Sequence, residues 1–325
     1  MLFVYIILTL TLLAILFFLI FGYILFLRVC KRRTERSHNF EDVFSQRKLS
    51  LVTPQRLRDD FDWLSTIQKE EISIRSKDGL KLFATLIKAN DQVAPKGIII
   101  TFHGYRSFSQ RDFCLQTRLL HNEGYHIVAV DQRSHGKSEG KYICYGIKEC
   151  EDVVLWAKKI SSVFENELPI CLFGLSMGGA TVLMSADLIE MSDTSVRCIV
   201  ADCPFSSPFD IVSHVLLRYH NIRPFPAIYF IDFWCQLLAK ISLSGKTAKA
   251  TVSKASVPCL LIHGENDDFV PMYMSEDIEK ASNGNARLIK IKNAKHSEAI
   301  FFDEKQYTDK ILAFLQQHMK NKKDR

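Results

Sequence analysis

The chain has 325 residues with a formal net charge of +6, and this length allows one or two domains. The basic excess is modest and concentrated at residues 28–36 and 320–325, without a basic stripe interleaved with aromatics, so nucleic acid is not an expected partner. Nine cysteines occur singly, with no C-x-x-C motif, which argues against both a disulfide framework and a zinc site. Because several of them lie inside apolar, strand-like runs, we expect buried free thiols in a reducing compartment.

The first 27 residues contain no charged side chain and are dominated by Leu, Ile and Phe. As a helix they would be roughly 40 Å long at about 1.5 Å per residue, enough to cross a hydrocarbon core of ~30 Å with tilt. A cleaved signal peptide is the competing interpretation, but the basic n-region, short apolar core and small-residue cleavage site that it needs are missing. Residues 1–28 are therefore predicted to be an uncleaved transmembrane anchor.

Basic residues follow the anchor closely and none precedes it; they are Arg28, Lys31, Arg32, Arg33 and Arg36. The positive-inside rule then predicts a single-pass protein of the cell membrane whose main domain is cytoplasmic. Residues 29–70 are predicted to be a basic juxtamembrane tether followed by a short helix. Thr53-Pro54 is a plausible start for that helix, because apolar residues recur at helical spacing after it.

The remainder, residues 71–320, has the pattern of one α/β domain. Alternating apolar residues flank a hairpin turn at 77–79, and mostly apolar runs then follow at 97–102, 127–130, 170–173, 198–201, 259–262 and 288–291. Helical patterns separate most of these runs, at 110–122, 147–163, 177–190 and 274–281. Apolar strands that alternate with helices predict a mostly parallel central sheet with helices on both faces, and chemistry at the carboxyl ends of its strands.

One segment combines a strand, a sharp turn and a helix around a serine. The apolar run 170–173 precedes Gly174-Leu175-Ser176-Met177-Gly178, and an apolar helical run follows. In this context G-x-S-x-G predicts a nucleophilic serine on a strained turn, where a Cβ on either side would clash. Ser176 also lies at a helix N-terminus, where free N–H groups stabilise a developing anion. A Gly-rich turn with an incidental serine is the alternative interpretation.

The loop after the run 97–102 begins with His103-Gly104-Tyr105. Acyl transfer needs two backbone N–H groups that point at the oxyanion of a tetrahedral intermediate. We expect one of them from Met177, which follows the candidate nucleophile, and the other from Tyr105. The side chain of His103 is an alternative general base, although a histidine in such a loop more often has a structural role.

The loops after the last two predicted strands carry an acid and a base. His296 lies just after the final strand and is the candidate base that takes the proton from Ser176. Asp267 follows the run 259–262 and is the candidate acid that orients the imidazole. The rival acids are carboxylates that lie in the same loop or end another strand: Glu265, Asp268 and Asp202.

Over residues 71–317 these features together resemble the α/β-hydrolase superfamily. The similarity is greatest to monoacylglycerol lipase-like and "serine aminopeptidase"-type hydrolases, particularly bacterial ones with an N-terminal membrane anchor. The chain order Ser176, Asp267, His296 is the order of that superfamily, and the resemblance implies that they are nucleophile, acid and base. Segment 131–138 matches the family's D-x-R-G-x-G-x-S except at Ser134, where glycine is common.

An aromatic-rich insertion at residues 204–253 resembles the cap that covers the active site in this family, with helical core packing as the alternative for its aromatics. The expected function is that of a membrane-anchored serine hydrolase which cleaves carboxylic esters, monoacyl lipids among them, through an acyl-enzyme. An amidase or peptidase of the same fold and a non-catalytic, membrane-tethered interaction module are the alternatives. No metal or organic cofactor is required, and the expected partners are a small-molecule or lipid ester and, through residues 1–28, the membrane.

Overall fold

The computed structural model describes residues 1–33, 54–89 and 94–320 of the chain, so the predicted tether at 38–50, Arg36 and the basic residues after Lys320 lie outside the described residues. Eight strands form one sheet. In chain order they are β1 (Glu70–Arg75), β2 (Lys81–Ile87), β3 (Gly97–Phe102), β4 (Tyr125–Val130), β5 (Ile170–Leu175), β6 (Val196–Asp202), β7 (Cys259–Gly264) and β8 (Ala286–Ile291).

The strand order across the sheet is β1-β2-β4-β3-β5-β6-β7-β8. Strands β1 and β2 form the antiparallel hairpin expected from the turn at residues 77–79, and β2 also pairs antiparallel with β4. Every other neighbouring pair is parallel. The predicted mostly parallel sheet is therefore confirmed, and the carboxyl ends of β3 and β5 to β8 meet at one edge.

Helices cover both faces of this sheet. They are α1 (Leu2–Cys30), α2 (Pro54–Thr66), α3 (Ser109–Asn122), α4 (Glu149–Val163), α5 (Met177–Met184), α6 (Ala186–Glu190), α7 (Pro208–His220), α8 (Pro224–Trp234), a π-helix (Cys235–Ala239), α9 (Ala248–Val252), α10 (Tyr273–Ala281), α11 (Ala299–Phe302) and α12 (Glu304–His318). Successive side chains of a strand point to opposite faces, so Ile98 and Ile100 of β3 belong to one apolar core and Ile99 to the other. Both faces of the central strands are thus buried, which explains their continuous apolar runs.

The long N-terminal helix α1 has two different halves. All of the first 17 residues are exposed, and they are almost entirely apolar. From Phe18 onward the helix packs against the rest of the chain, and the side chains of Phe26 and Cys30 are completely buried. By length and composition α1 is able to cross a membrane. The boundary predicted at residue 28 therefore falls inside a helix whose second half belongs to the core.

The insertion at residues 204–253 is helical, as its sequence suggested, and contains α7, α8, the π-helix and α9. Of the eight aromatic residues that crowd it, only Phe205 is buried. Phe209 and Trp234 are partly buried against the core, so core packing accounts for a minority of these aromatics. Four of them have more than a third of their surface exposed: Tyr219, Phe225, Tyr229 and Phe233.

Candidate active site

Ser176 occupies the sharp turn between β5 and α5, where it has a positive φ of 55° and a ψ of −115°. The two glycines of its motif make this turn sterically possible. A Cβ on Gly174 would lie 2.1 Å from the carbonyl oxygen of Gly178, and a Cβ on Gly178 would lie 1.9 Å from the carbonyl oxygen of Phe102. The strained strand-to-helix turn expected from G-x-S-x-G is therefore present, with Ser176 as the N-cap residue of α5.

His296 connects this serine to an aspartate through both nitrogens of its ring. Its Nε2 lies 2.9 Å from the Oγ of Ser176, and its Nδ1 lies 2.7 Å from the Oδ2 of Asp267. A carboxylate only accepts hydrogen bonds, so the ring proton lies on Nδ1 and Nε2 accepts from the serine hydroxyl. This is the tautomer that a general base needs in order to take the serine proton.

The Asp267 carboxylate is buried and well hydrogen bonded. Its Oδ1 accepts from the backbone N–H of Phe269 at 3.0 Å and of Val270 at 2.8 Å, and its Oδ2 lies 3.2 Å from the Nε2 of His263. Burial raises the pKa of this carboxyl, but the charge of His296 and the hydrogen bonds from His263 and His296 outweigh it and hold the pKa well below the usual range. Asp267 therefore remains ionised at neutral pH and holds the histidine ring in place.

The rival carboxylates have other surroundings. Glu265 and Asp268 are exposed to solvent. Asp202 is buried, and its Oδ2 accepts a hydrogen bond from the hydroxyl of Tyr307 at 2.8 Å. Burial raises the pKa of Asp202 to about 6, although the hydrogen bond from Tyr307 acts in the opposite direction. The structure thus joins the candidate base to Asp267 and places Asp202 in a separate hydrogen bond.

Two backbone N–H groups lie beside the candidate nucleophile. Tyr105 and Met177 line the same cavity as Ser176, and neither of their backbone N–H groups has an acceptor among the described residues. Gly104 also approaches closely, because a Cβ on it would lie 3.4 Å from the Cβ of Ser176. Free donors next to a nucleophile are what an oxyanion hole requires, so the geometry is compatible with the roles expected for Tyr105 and Met177.

The loop that carries Tyr105 is fixed by a side chain that the sequence analysis missed. Asp112, in the first turn of α3, accepts hydrogen bonds from the Gly104 N–H and the Ser107 hydroxyl, both at 2.7 Å. An acid in the first turn of the helix after this loop was the available signal. The ring of His103 is buried in the loop: its Nδ1 donates to the carbonyl oxygen of Gly104, and its Nε2 accepts from the N–H of Gln132. Both ring nitrogens are occupied, so this histidine is not available as a base for the serine.

Comparison with known proteins agrees with this fold. A family model described as serine aminopeptidase, S33, matches residues 93–219. The chain is 25% identical over 261 residues to the uncharacterised protein YqkD of Bacillus subtilis, covering 79% of this chain and 82% of YqkD. It is also 25% identical over 187 residues to the lysophosphatidylserine lipase ABHD12 of Xenopus tropicalis, covering 56% of this chain and 45% of the lipase. A solved esterase structure from Pyrococcus furiosus superposes with a TM-score of 0.63 at 21% identity, covering 84% of this chain and 97% of the esterase. The chain has the α/β-hydrolase fold.

Ser134, where the resemblance leads one to expect glycine, has a backbone conformation that favours glycine. Ser134 has a φ of 65°, the left-handed region in which glycine costs least. Its hydroxyl donates to the carbonyl oxygen of Tyr142 at 2.8 Å, which offsets part of the strain. The segment also supports the loop that carries Tyr105, because the Nε2 of His135 accepts from the N–H of Arg106 at 3.0 Å.

The loop that carries Tyr105 and Arg106 is bonded directly to the end of α1. The hydroxyls of Tyr105 and Tyr145 both donate to the carbonyl oxygen of Val29, at 2.7 and 3.1 Å. The Arg106 guanidinium donates to the carbonyl oxygen of Arg28 at 2.6 Å. We call these three bonds the α1 latch. Sequence patterns gave no signal for it, because its partners are 76 to 116 residues apart.

Above Ser176 the hydrolase has an apolar cavity of about 340 Å³, within the size range of small-molecule sites. Its apolar walls come from the cap, the loop after β7 and the loops before α3 and α4. The apolar lining residues are Phe205, Ile211, Val212, Val215, Leu216, Tyr219, Phe269, Val270, Tyr105 and Tyr145. Most aromatics of the cap therefore lie outside the cavity, since only Phe205 and Tyr219 among them line it. The end of α1 completes the lining with Arg28, Val29 and Arg33.

Cys203 is a buried neighbour of the acid and base in the hydrolase. The potential metal-ligating atoms of Cys203, Asp267 and His296 lie within 4.8 Å of one another. Burial, followed by the charges of Asp202 and Asp267, raises the pKa of the Cys203 thiol well above its usual range. A protonated thiol is a poor metal ligand, and both nitrogens of His296 already have partners. These residues are therefore better suited to proton transfer than to metal binding.

Proposed function

We propose that this protein is a membrane-anchored serine hydrolase that cleaves carboxylic esters of single acyl chains through an acyl-enzyme. The observation that carries the proposal is the hydrogen-bonded chain from Ser176 through His296 to Asp267, together with the apolar cavity that Ser176 lines. Nucleophile, base and orienting acid in this geometry are the general arrangement for serine-based acyl transfer.

The proposed reaction has two halves. The Oγ of Ser176 attacks the ester carbonyl carbon while its proton passes to Nε2 of His296, and the tetrahedral oxyanion accepts hydrogen bonds from the N–H groups of Tyr105 and Met177. Collapse breaks the bond to the alcohol, which leaves with the proton from His296. A water molecule then attacks the acyl-enzyme, His296 again takes the proton, and the carboxylic acid is released. Asp267 stabilises the imidazolium in both halves.

The shape and charge of the cavity support a monoacyl substrate with an anionic headgroup. The apolar walls suit one acyl chain, whose buried CH₂ groups each contribute about 0.8 kcal/mol to binding. Arg28, Arg33 and Arg106 line the same cavity, and within the described part of the chain no carboxylate forms an ion pair with them. Guanidinium groups match phosphate and carboxylate oxygens. The printed name of one relative, lysophosphatidylserine lipase, describes a substrate of this chemical class.

We further propose that α1 anchors the protein in the cell membrane with the hydrolase fold on the cytoplasmic side. The exposed apolar surface of residues 1–17 supports insertion, and the basic residues Arg28, Lys31, Arg32 and Arg33 after the span support this orientation. In this position the cavity lies next to the membrane surface, where a monoacyl lipid is concentrated.

The function is tested first at the nucleophile. A fluorophosphonate should label the full-length protein, because a base-activated serine beside free N–H donors attacks such reagents. Ser176→Ala should abolish labelling and lower ester turnover by about 10⁴-fold or more. The matched control is Ser185→Ala, which removes another buried serine hydroxyl just after α5 and should leave labelling intact. Equal labelling of the Ser176 variant and the control would contradict the proposal.

The substrate class is tested with a panel of esters on the same full-length protein. From acetyl to medium chains, kcat/KM should rise by roughly fourfold per CH₂ until the cavity is full. At equal chain length an anionic lysophospholipid should be cleaved faster than a neutral monoacylglycerol, and Arg28→Gln should reduce that difference. A flat chain-length profile, or faster cleavage of aminoacyl amides than of esters, would favour a small-ester hydrolase or a peptidase instead.

A further inference from the structure

Helix α8 and the π-helix that continues it carry exposed apolar side chains at every fourth position. The backbone of the first, Phe225, is not helical, but its ring lies 6.0 Å from that of Tyr229. We call this set the outer stripe; its members, with their exposed fractions, are Phe225 (75%), Tyr229 (58%), Phe233 (46%) and Leu237 (46%). None of these residues lines the cavity above the candidate nucleophile. Large side chains at this spacing form a continuous apolar surface, which in a protein free in water marks an interaction site.

Another side of the same helix is packed against α1. The ring of Phe230 stacks on Phe18 with a centroid distance of 5.3 Å, and the Trp234 Nε1 donates to the carbonyl oxygen of Leu19 at 2.9 Å. The contact is close because of a glycine: a Cβ on Gly22 would lie 2.5 Å from the Cβ of Phe230. These contacts place α8 beside residues 18 to 23 of α1.

Residues 18 to 23 belong to the apolar part of α1 that would lie in the bilayer. The hydrocarbon core is about 30 Å thick and takes up about 20 helical residues, whereas the apolar part of α1 extends from Leu2 to Leu27. Ile20 and Ile24 of α1, at the level of α8, are themselves exposed. The outer stripe therefore continues the exposed apolar surface of the anchor.

We propose that the outer stripe is a second membrane-contacting surface, which lies in the bilayer beside α1 and brings the mouth of the cavity into contact with lipid. The occupant of the stripe is thus the acyl region of the bilayer. Arg223 and Lys240, which flank α8 and the π-helix, are both exposed and are positioned to meet lipid phosphates at the edge of this surface. The part of this proposal that concerns substrate entry depends on the proposed ester hydrolysis, and the membrane contact depends on the proposed anchoring by α1 but not on catalysis.

The cap connects this surface to the cavity. Helix α7 packs against α8, and the rings of Phe209 and Tyr229 lie 5.9 Å apart at their contact. Helix α7 also supplies part of the cavity wall, through Val212, Val215 and Leu216. Helix α7 therefore contacts both α8, which carries the outer stripe, and the proposed acyl site.

The membrane contact is tested with a fluorescent probe on the full-length protein reconstituted in phosphatidylcholine vesicles. The native cysteines are all buried, so an introduced surface cysteine can be labelled selectively with an NBD dye. The test variant is Phe233→Cys. Leu12→Cys, in the exposed half of α1, is the positive control, and Met191→Cys, an exposed position after α6, is the negative control. Doxyl-labelled lipid should quench the dye at 233 and 12 by at least threefold more than at 191.

Quenching at position 12 without quenching at position 233 would overturn the proposal. The outer stripe would then be a binding surface for a protein partner instead of lipid. Quenching at neither position would overturn it together with the proposed anchoring by α1. Because this readout does not involve catalysis, an inactive but quenched protein would contradict the proposed function while supporting the membrane contact.

The consequence for activity is tested by polar substitution of the whole stripe. A Phe225→Ser, Tyr229→Ser, Phe233→Ser and Leu237→Gln variant should cleave a monoacyl ester embedded in vesicles at least tenfold more slowly than the unsubstituted protein. Its turnover of water-soluble p-nitrophenyl acetate should change by less than twofold, since the stripe does not line the cavity. Equal losses on both substrates, or no loss on vesicles, would overturn the role in substrate entry.

Discussion

Two buried aspartates near Ser176 have opposite electrostatic environments. Asp267 accepts several hydrogen bonds and has a lowered pKa, whereas Asp202 has a raised one. We predict that Asp267→Asn lowers kcat by about 10³- to 10⁴-fold, because an amide no longer selects the Nδ1–H tautomer of His296. Steady-state kinetics on a soluble ester measures this effect, and circular dichroism checks that the fold is retained.

The control for this substitution is Asp202→Asn, the same chemical change at a second buried aspartate. We expect it to lower kcat by less than about tenfold, because Asp202 bonds to Tyr307 rather than to the histidine. If Asp202→Asn proved the more damaging of the two, the acid of the proposed mechanism would have to be reassigned.

The raised pKa of Asp202 also predicts a pH dependence of stability. Between its unfolded pKa near 3.8 and its folded pKa of about 6, the folded state binds more protons than the unfolded state, so stability falls as pH rises through this range. The full cost above pH 6 is about 3 kcal/mol, at about 1.4 kcal/mol per pKa unit. We predict that Asp202→Asn removes this contribution, so that its stability declines less between pH 4.5 and pH 6.5.

Thermal unfolding of the full-length protein in detergent measures the difference between the Asp202 variant and the unsubstituted protein. Other buried carboxyls with raised pKa values, Glu149 and Asp152, titrate in both proteins and cancel in the comparison. Asp267 has the opposite sign: its stabilisation is complete above its unfolded pKa and is lost only at more acidic pH. Parallel pH profiles for the two proteins would contradict the prediction.

At the level of secondary-structure elements, the α1 latch connects the end of α1 to the loop that carries Tyr105. Tyr105→Phe with Tyr145→Phe removes two hydrogen bonds to the Val29 carbonyl, each with a net contribution of about 1 kcal/mol. We predict that kcat falls about tenfold with little change in KM. The loop carries a proposed donor to the oxyanion of the transition state, whereas most of the apolar wall that would bind the acyl chain lies elsewhere. Tyr142→Phe is the matched control, since its hydroxyl forms neither of these bonds.

If the latch had only a structural role, the variant would lose thermal stability without a fall in kcat at constant KM. That outcome would contradict a positioning role for the latch.

Two deletions extend the test to the helix itself. Removal of residues 1–17 should preserve turnover of a soluble ester, because these residues are all exposed. Removal of residues 1–33 takes away the latch and the buried side chains of Phe26 and Cys30, and should abolish folding or activity.

At the scale of the whole molecule, the basic residues at the end of α1 predict the side of the membrane on which the sheet lies. Protease added to intact cells or spheroplasts should leave residues 71–320 uncut, because the fold is expected in the cytoplasm. The same protease after lysis is the control and should digest accessible loops. Digestion of this region before lysis would show the opposite orientation.

Much of the fold could be predicted from the sequence, since strands buried on both faces produce apolar runs with turn residues between them. Ser176, Asp267 and His296 could be selected because each follows a different strand of one sheet. The packing of α1 could not be predicted in this way. Phe26, buried against protein, and Leu12, exposed on the same helix, are both apolar, and hydropathy does not distinguish a protein neighbour from a lipid one. The latch could not be predicted from the sequence either, because its acceptors are backbone carbonyl groups, which every residue has.

The burial of the second half of α1 has a consequence for how the protein is made. This helix leaves the ribosome before any strand of the sheet, yet its last turns complete a core that is synthesised more than 100 residues later. We therefore expect α1 to insert into the bilayer before the sheet and the cap are synthesised. Its second half then provides a surface against which the cap packs. Without a membrane, the same segment would expose its apolar residues throughout synthesis. Insertion and folding of this chain are then successive steps of one assembly process.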